Sequence, residues 1–502
     1  MTETGPRRCG IDRAGGWRIG AAAASLGAVS ALGQAPVDLW PLTLIALGGL
    51  FALFRKAARM KSAALIGFAA GTGYFLLALS WIVEPFLVDV ARHGWMAPFA
   101  LAFMAAGLGL FWSAGFAVAR LAGGGVVAWV AALTLAEAAR AVLFTGFPWA
   151  QVGHIWIDTP VLAWSAIIGP LGLSAVALAA GAGLFLALRA RLKGMLVVAV
   201  VAALYLAAPL LDRAVPVSED APLVRLVQPN APQDRKWDPD WMGVFFNRQI
   251  AFTADGADRP DLIVWPETSV PVPLHRAGTA LGQVSEAAGD VPVVLGVQRR
   301  EGARLYNSMV LLGPGGDVRA QYDKHHLVPF GEYLPFGRHL RRFGLRGLAA
   351  EDGNGFSAGP GPRVIDVGGI GSALPLICYE GVFARNVAMA PRRPDFLLLI
   401  TNDAWFGDIS GPHQHLAQAR LRSAERGLPM IRVANTGISA VIDAQGRITG
   451  AIELGESGWT DLPLPPPSSP TIYSRTGDWP LILLLLAGLG ATGAGRRGTN
   501  IN

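Results

Sequence analysis

The sequence predicts a two-part protein, an α-helical membrane domain followed by an α/β domain that returns to the membrane through one last helix. Three observations predict it. The 502 residues are 52% hydrophobic and 16% charged, whereas an ordinary soluble domain is about 25% charged. Apolar stretches of bilayer-crossing length, about 20 residues, crowd the first 212 positions. Beyond them, short β-branched runs alternate with turns and helical patterns.

Seven candidate spans lie at 17–34, 38–54, 63–88, 95–119, 122–143, 161–188 and 194–211. The first is Ala/Gly-rich and flanked by Arg7, Arg8, Arg13 and Arg18, so it resembles an uncleaved signal anchor; a cleaved signal peptide is the alternative. An eighth stretch, 479–495, precedes Arg496 and Arg497. Eight transmembrane helices are therefore expected. The domain boundaries are 1–212 for the membrane domain, 213–470 for the α/β domain, and 471–502 for the final span and a short tail.

Charge distribution orients these spans. The net charge of +6 resides in the first 212 residues, which hold 14 basic and 8 acidic side chains. Basic residues gather before span 1, between spans 2 and 3 (Arg55, Lys56, Arg59, Lys61), at Arg120, between spans 6 and 7 (Arg189, Arg191, Lys193) and after span 8. The alternate loops hold Arg92 and, at one end, Arg140. By the positive-inside rule both termini are cytoplasmic and the α/β domain lies across the membrane, in the periplasm of a Gram-negative cell. That domain is nearly neutral, which argues against nucleic acid as a partner.

Strands are expected at Leu223–Val227, Leu262–Val264, Val293–Val297, Met309–Leu312, Ala373–Ile377, Phe396–Ile400 and Ile431–Ala434, and helices at Trp237–Thr253 and His413–Arg426. Near-continuous apolar strands alternating with helices indicate a sheet covered by helices. Residues 461–470, DLPLPPPSSP, read as an extended linker. The Gly/Arg-rich stretch 337–363 reads as a long loop.

Three reactive side chains arrive where expected strands end, the place where α/β sheets bind ligands. Glu267 follows LIVWP, Lys324 follows RAQYD with Glu332 eight residues on, and Cys378 follows ALPLI and precedes Tyr379 and Glu380. A thiolate is the reactive form of cysteine. A lysine lowers a thiol's pKa and a glutamate accepts its proton. A lysine with a backbone N–H also stabilises an oxyanion. Taken singly, Cys378 reads as buried core and the two charges as surface groups; together they favour catalysis. The topology separates Cys9 from Cys378, leaving an unpaired thiol in an oxidising compartment. No CxxC, HExxH or Cys/His cluster occurs, so no metal or other cofactor is expected. His325, His326, His413 and His415 read as solvated or capping groups.

The motifs WPET, YDKHHLVPFGEYLP, ICYE, NDAWFG and RVANTGISAVID resemble the nitrilase superfamily. With GFPWAQVGH at 146–154 and the span count, the chain resembles its membrane branch, the apolipoprotein N-acyltransferases. The resemblance implies an α-β-β-α sandwich and a Glu–Lys–Cys triad: Glu267 as general base, Lys324 as oxyanion stabiliser, Cys378 as nucleophile. It implies supporting roles for Glu332, Tyr379, Glu380 and Trp237. It implies transfer of the sn-1 acyl chain of a phospholipid, usually phosphatidylethanolamine, through a thioester to the α-amine of a diacylglyceryl-cysteine of an apolipoprotein, at the bacterial inner membrane. The membrane domain favours a monomer over the assemblies of soluble nitrilases. Phe336, with Leu334, Leu340, Phe343, Leu345 and Leu348, forms either an apolar lid or a packed surface loop. Phe147 and Trp149 line a lateral opening or are ordinary interfacial aromatics. Trp405 and Phe406 shape an acyl pocket or belong to the core. Glu137 and Arg140 pair along their helix, unless Arg140 reaches the interface. A membrane-anchored amidase is the enzymatic alternative, and a transporter with a periplasmic domain the non-enzymatic one.

Overall fold

A computed structural model describes residues 13–189, 191–212, 215–335 and 355–498. Each expected span contains a helix: α1 (Arg13–Ser30), α2 (Trp40–Lys56), α3 (Met60–Ala78), α4 (Ala97–Leu121), α5 (Val126–Arg140), α6 (Ser165–Ala187), α7 (Leu192–Ala207) and, at the end of the chain, Trp479–Gly498. Among the described residues four helical stretches are long and apolar enough to cross a membrane: Met60–Ala78, Val90–Leu121, Pro160–Ala187 and Leu192–Leu211. The others fall short in length or composition. α5, with 15 residues, spans about 22 Å against a hydrocarbon core of about 30 Å.

Small residues set the helix packing, as expected where lipid supplies no hydrophobic drive between helices. A Cβ on Gly27 would meet the Ala70 carbonyl, and one on Gly73 the Ala24 carbonyl, each at 2.0 Å. α1 and α3 therefore touch backbone to backbone. The span expected at 63–88 does not run through: α3 stops at Ala78 and short turns follow to Leu87. The Ala78 carbonyl, freed by that stop, accepts a bond from Gln414 Nε2 at 3.1 Å. The break thus supplies a contact to the α/β domain.

That domain contains two six-stranded sheets. Its strands are β1 (Leu223–Gln228), β2 (Leu262–Val264), β3 (Val293–Glu301), β4 (Arg304–Leu312), β5 (Val318–Asp323), β6 (Ile365–Asp366), β7 (Ser372–Ile377), β8 (Phe396–Thr401), β9 (Met430–Ala434), β10 (Ser439–Ile442), β11 (Ile448–Ile452) and β12 (Gly458–Pro463). The sheet orders are β12-β1-β2-β3-β4-β5 and β11-β10-β9-β8-β7-β6. β1, β2 and β3 run parallel, as do β7, β8 and β9; the outer strands are antiparallel.

Side-chain alternation builds the layers. Leu226, Leu262, Val264, Val294 and Met309 of the first sheet pack on Ile377, Leu398, Ile400 and Ile431 of the second. Their sequence neighbours face outward. Ile263, Leu295 and Val310 pack on α8 (Met242–Ala254) and α9 (Gly278–Ala288), and Leu374, Leu397 and Met430 on α10 (Gly411–Arg426). The result is the expected α-β-β-α sandwich. Two elements differ from expectation. Residues 237–241 form turns rather than the first turn of α8, because Pro239 disfavours a helical conformation at Asp238. The expected linker begins as β12, whose Leu462 pairs with Val224.

A Gly73→Val substitution forces α1 off α3 and is expected to cost about 1–3 kcal/mol. Thermal unfolding in detergent, compared with Gly107→Ala, a site with open space, measures it.

Candidate active site

The turn after β2 carries Glu267. Gly296 of β3 lets that turn lie on the sheet: a Cβ there would meet Thr268 N at 2.4 Å. Gly296 N donates to Pro266 O at 3.2 Å, and Ser269 N to Gly296 O at 2.8 Å. Lys324 follows β5, its N–H bonded to Asn307 O at 2.9 Å. Its ammonium is buried, 2.8 Å from Glu332 Oε1 and 3.8 Å from Glu267 Oε1. Asn307 Nδ2 donates to Glu267 Oε1 at 2.6 Å and Glu332 Oε1 at 3.3 Å. Glu332 Oε2 accepts from Val328 N at 2.8 Å, closing its own loop.

Cys378 comes from the other sheet, in the residue after β7, with φ of 51°. A left-handed conformation is uncommon for a side-chain-bearing residue and costs about 1–3 kcal/mol. The electrostatics revise one expectation. Burial pushes the Cys378 thiol well above its ordinary range; Glu267 adds to the shift, and Lys324 only partly offsets it. The resting side chain is thus the thiol rather than the thiolate. Burial works against the Lys324 charge, yet Glu332, Glu267 and Cys378 outweigh it and hold the ammonium protonated.

Glu380, fully buried, joins the two sheets. Its Oε2 accepts from Ile377 N at 2.8 Å, and its Oε1 from His325 N at 2.8 Å and His326 N at 3.1 Å. Tyr322 O–H donates to the same carboxylate at 2.9 Å. Burial raises the carboxyl, but the His325 ring and the backbone N–H groups prevail and hold it below the usual carboxylate range.

The structure brings Glu267, Lys324, Glu332, Cys378, Tyr379 and Glu380 to one strand-end edge. Other expected positions lie elsewhere. Trp149 is fully buried: its Nε1 donates to Gln414 Oε1 at 2.7 Å, and its ring packs on Trp81, Phe406 and His415. Phe147 is half-buried and stacks on Trp149. Phe406 belongs to the same joint between domains, and Trp405 is half-buried beside it. Trp237, 41% exposed, borders a cleft with Lys236, Phe245, Thr268 and Asn435. Of the expected lid, Leu334 is described and half-buried, while Phe336, Leu340, Phe343, Leu345 and Leu348 lie outside the described residues, as does Cys9. Tyr379 O–H donates to Gly146 O at 3.3 Å. Glu137 and Arg140 pair at 2.5 Å, buried.

The histidines read as solvated are partly misjudged. His325 Nδ1 is 2.6 Å from Glu380, His326 stacks on Phe383, and His415 is 2.9 Å from buried Asp403. Sequence reasoning also missed Asn307 and Lys236. Lys236 sits beside Trp237, a signal within reach; Asn307 lies in mid-strand with none.

A family profile for the apolipoprotein N-acyltransferase N-terminal domain matches residues 26–183, and one for carbon-nitrogen hydrolases matches residues 226–461. The apolipoprotein N-acyltransferase of Brucella melitensis is 37% identical over 511 residues, 96% of each chain. That of Rhodopseudomonas palustris is 35% identical over 509 residues, 95% of each. Among solved structures, an amidase from Nesterenkonia sp. aligns with a TM-score of 0.37 and 19% identity, covering 50% of this chain and 92% of that one.

A Glu380→Ala substitution strands three backbone N–H groups, while the Tyr322 hydroxyl keeps His325 Nδ1 at 2.7 Å. Each unmet buried donor costs about 1–3 kcal/mol, so denaturant unfolding is expected to show a loss of at least about 3 kcal/mol. Because the folded carboxyl lies below its unfolded value, its contribution is complete above the ordinary carboxylate range and is lost as pH falls through the folded value. Acid titration of stability in Glu380→Gln is accordingly expected to be shallower than in the wild type.

Proposed function

Since the chain belongs to the apolipoprotein N-acyltransferase family, it is an acyltransferase of the carbon-nitrogen hydrolase superfamily acting on lipoprotein and phospholipid substrates, and we propose the following course for its reaction. Glu267 takes the Cys378 proton, and the sulfur attacks the sn-1 ester carbonyl of a phospholipid. The Lys324 ammonium stabilises the oxyanion. The C–O bond breaks, Glu267 returns its proton to the departing alkoxide, and a lysophospholipid leaves behind a thioester. The neutral α-amine of a diacylglyceryl-cysteine then attacks that thioester. Glu267 accepts the amine proton, the amide forms, and the leaving thiolate is reprotonated by Glu267. Glu332 and Asn307 hold Lys324 and Glu267 in register. Tyr379, Glu380 and Trp237 support the site, and Phe336 contributes to an apolar cover over the acyl chain.

One observation carries this reading: a buried thiol at a strained turn, among a base and a paired lysine, in a domain joined directly to membrane helices. The chain has eight spans, with both termini cytoplasmic and residues 213–470 periplasmic, at the inner membrane of a Gram-negative bacterium. Helices at all eight stretches and basic residues at alternate ends support that topology. Phosphatidylethanolamine is the expected donor and a monomer the working unit.

Cys378→Ala is expected to abolish N-acylation, and Glu267→Gln to slow thioester formation by about 10²–10⁴-fold. Mass spectrometry of a lipoprotein N-terminus, and of Cys378 after incubation with phospholipid, reads both. Unchanged N-acylation in Cys378→Ala would remove the basis of the proposal.

A further inference from the structure

Glu267 has a second cation beside it. Lys236 lies in the turn between β1 and α8, only 7% exposed. Among the described residues it pairs with no carboxylate side chain. Instead its Nζ donates to the main-chain oxygen of Glu267 at 3.0 Å and to Thr268 Oγ1 at 3.1 Å. Both acceptors belong to the turn that projects the Glu267 side chain. Thr268 there has φ of 46°, a left-handed conformation that a β-branched residue adopts only under constraint. The β3 backbone holds the turn from one side through Gly296 and Pro266. Lys236 holds it from the cleft, where its Nζ stands 5.6 Å from the Trp237 ring centre.

A buried ammonium without a counter-carboxylate is costly, and an apolar side chain would fill the same space without that cost. The lysine supplies two bonds to the turn and a positive charge near the base. Burial lowers its pKa to about 8, partly offset by the Glu267 charge. The amine keeps its two bonds even when neutral, since it retains two N–H donors.

We propose that Lys236 is a positioning residue for Glu267: it fixes the strained turn from the main-chain side, while Lys324 acts at the carboxylate itself. This rests on Glu267 being the general base. The charged or titratable groups facing Glu267 are Lys236, Lys324, Cys378 and, across Asn307, Glu332.

The test is single-turnover acylation of Cys378 in full-length protein, with phosphatidylethanolamine in mixed micelles, followed by mass spectrometry. Lys236→Met is expected to slow acylation about 10²-fold, the scale of a displaced catalytic group, with the phospholipid dependence little changed. Lys236→Arg, which can still donate to both acceptors, is expected to restore most of the rate. Lys236→Gln keeps a donor and is expected to lose less rate than the Met variant; it carries the test if the Met variant does not fold. Acylation at the wild-type rate in both the Met and Gln variants overturns the role of Lys236 alone. Wild-type acylation by Glu267→Gln is a different result and overturns the base assignment on which the proposal rests.

Discussion

A buried carboxylate is the constraint on which the candidate site depends. Glu380 is fully desolvated, and an isolated charge there would not survive. It is stable because four donors converge on it: the N–H groups of Ile377, His325 and His326, and the Tyr322 hydroxyl. Ile377 ends a strand of one sheet; Tyr322 and the two histidines end a strand of the other. The same requirement that satisfies the charge therefore ties the two strand ends together. Cys378 is the residue after Ile377, and Lys324 the residue before His325. The spacing of thiol and ammonium follows from satisfying one carboxylate.

Charge balance bears on the transfer proposed above. Glu267 and Glu332 face Lys324, and Lys236 stands at the Glu267 main chain. Two carboxylates and two lysines surround the thiol. In the proposed course, proton transfer from Cys378 to Glu267 moves a charge within the cluster without changing its total. On that course Lys324, held protonated by its carboxylates, faces a thiolate in the first half and an oxyanion in both. Lowering the resting thiol's pKa would add a third negative charge to the cluster, which burial opposes.

Much of this was legible in the sequence because it depends on local pattern. The seven expected strands are near-continuous apolar runs, and each appears. Strand ends are where side chains leave a sheet, so Glu267, Lys324 and Cys378 could be placed from the order of residues alone. β11 and β12 escaped because edge strands carry polar residues on one face; GWTDLP in β12 is half-buried from Gly458 to Leu462. β10, an interior strand, escaped because its four residues, SAVI, are too short a run to stand out. Trp149 and Phe406 could not be placed from local pattern. Their burial depends on a joint between residues far apart in the chain, including the Trp149–Gln414 bond across 265 positions. The direction of the Cys378 shift was unreadable for a similar reason: a lysine nearby lowers a thiol pKa, but the depth of burial that outweighs it is a tertiary property.

The joint also ties the Cys378 turn to the membrane helices. Arg140, paired with Glu137 inside α5, donates to Phe147 O at 2.5 Å and Trp149 O at 2.8 Å. These bonds fix a loop whose Gly146 carbonyl takes the Tyr379 hydroxyl and whose Thr145 carbonyl takes Arg385 at 2.6 Å. Tyr379 is the next residue after Cys378. An ion pair this deep is expensive unless further hydrogen bonds offset its desolvation; here Nη2 meets Glu137 and Nη1 meets two loop carbonyls, while Nε has no partner among the described residues. The arrangement gives a buried charge pair, usually a poor source of stability, a positional use. It sets the Cys378 turn at a fixed height relative to α5, so in the proposed reaction the depth of the thiol is determined by the helices rather than by a flexible tether.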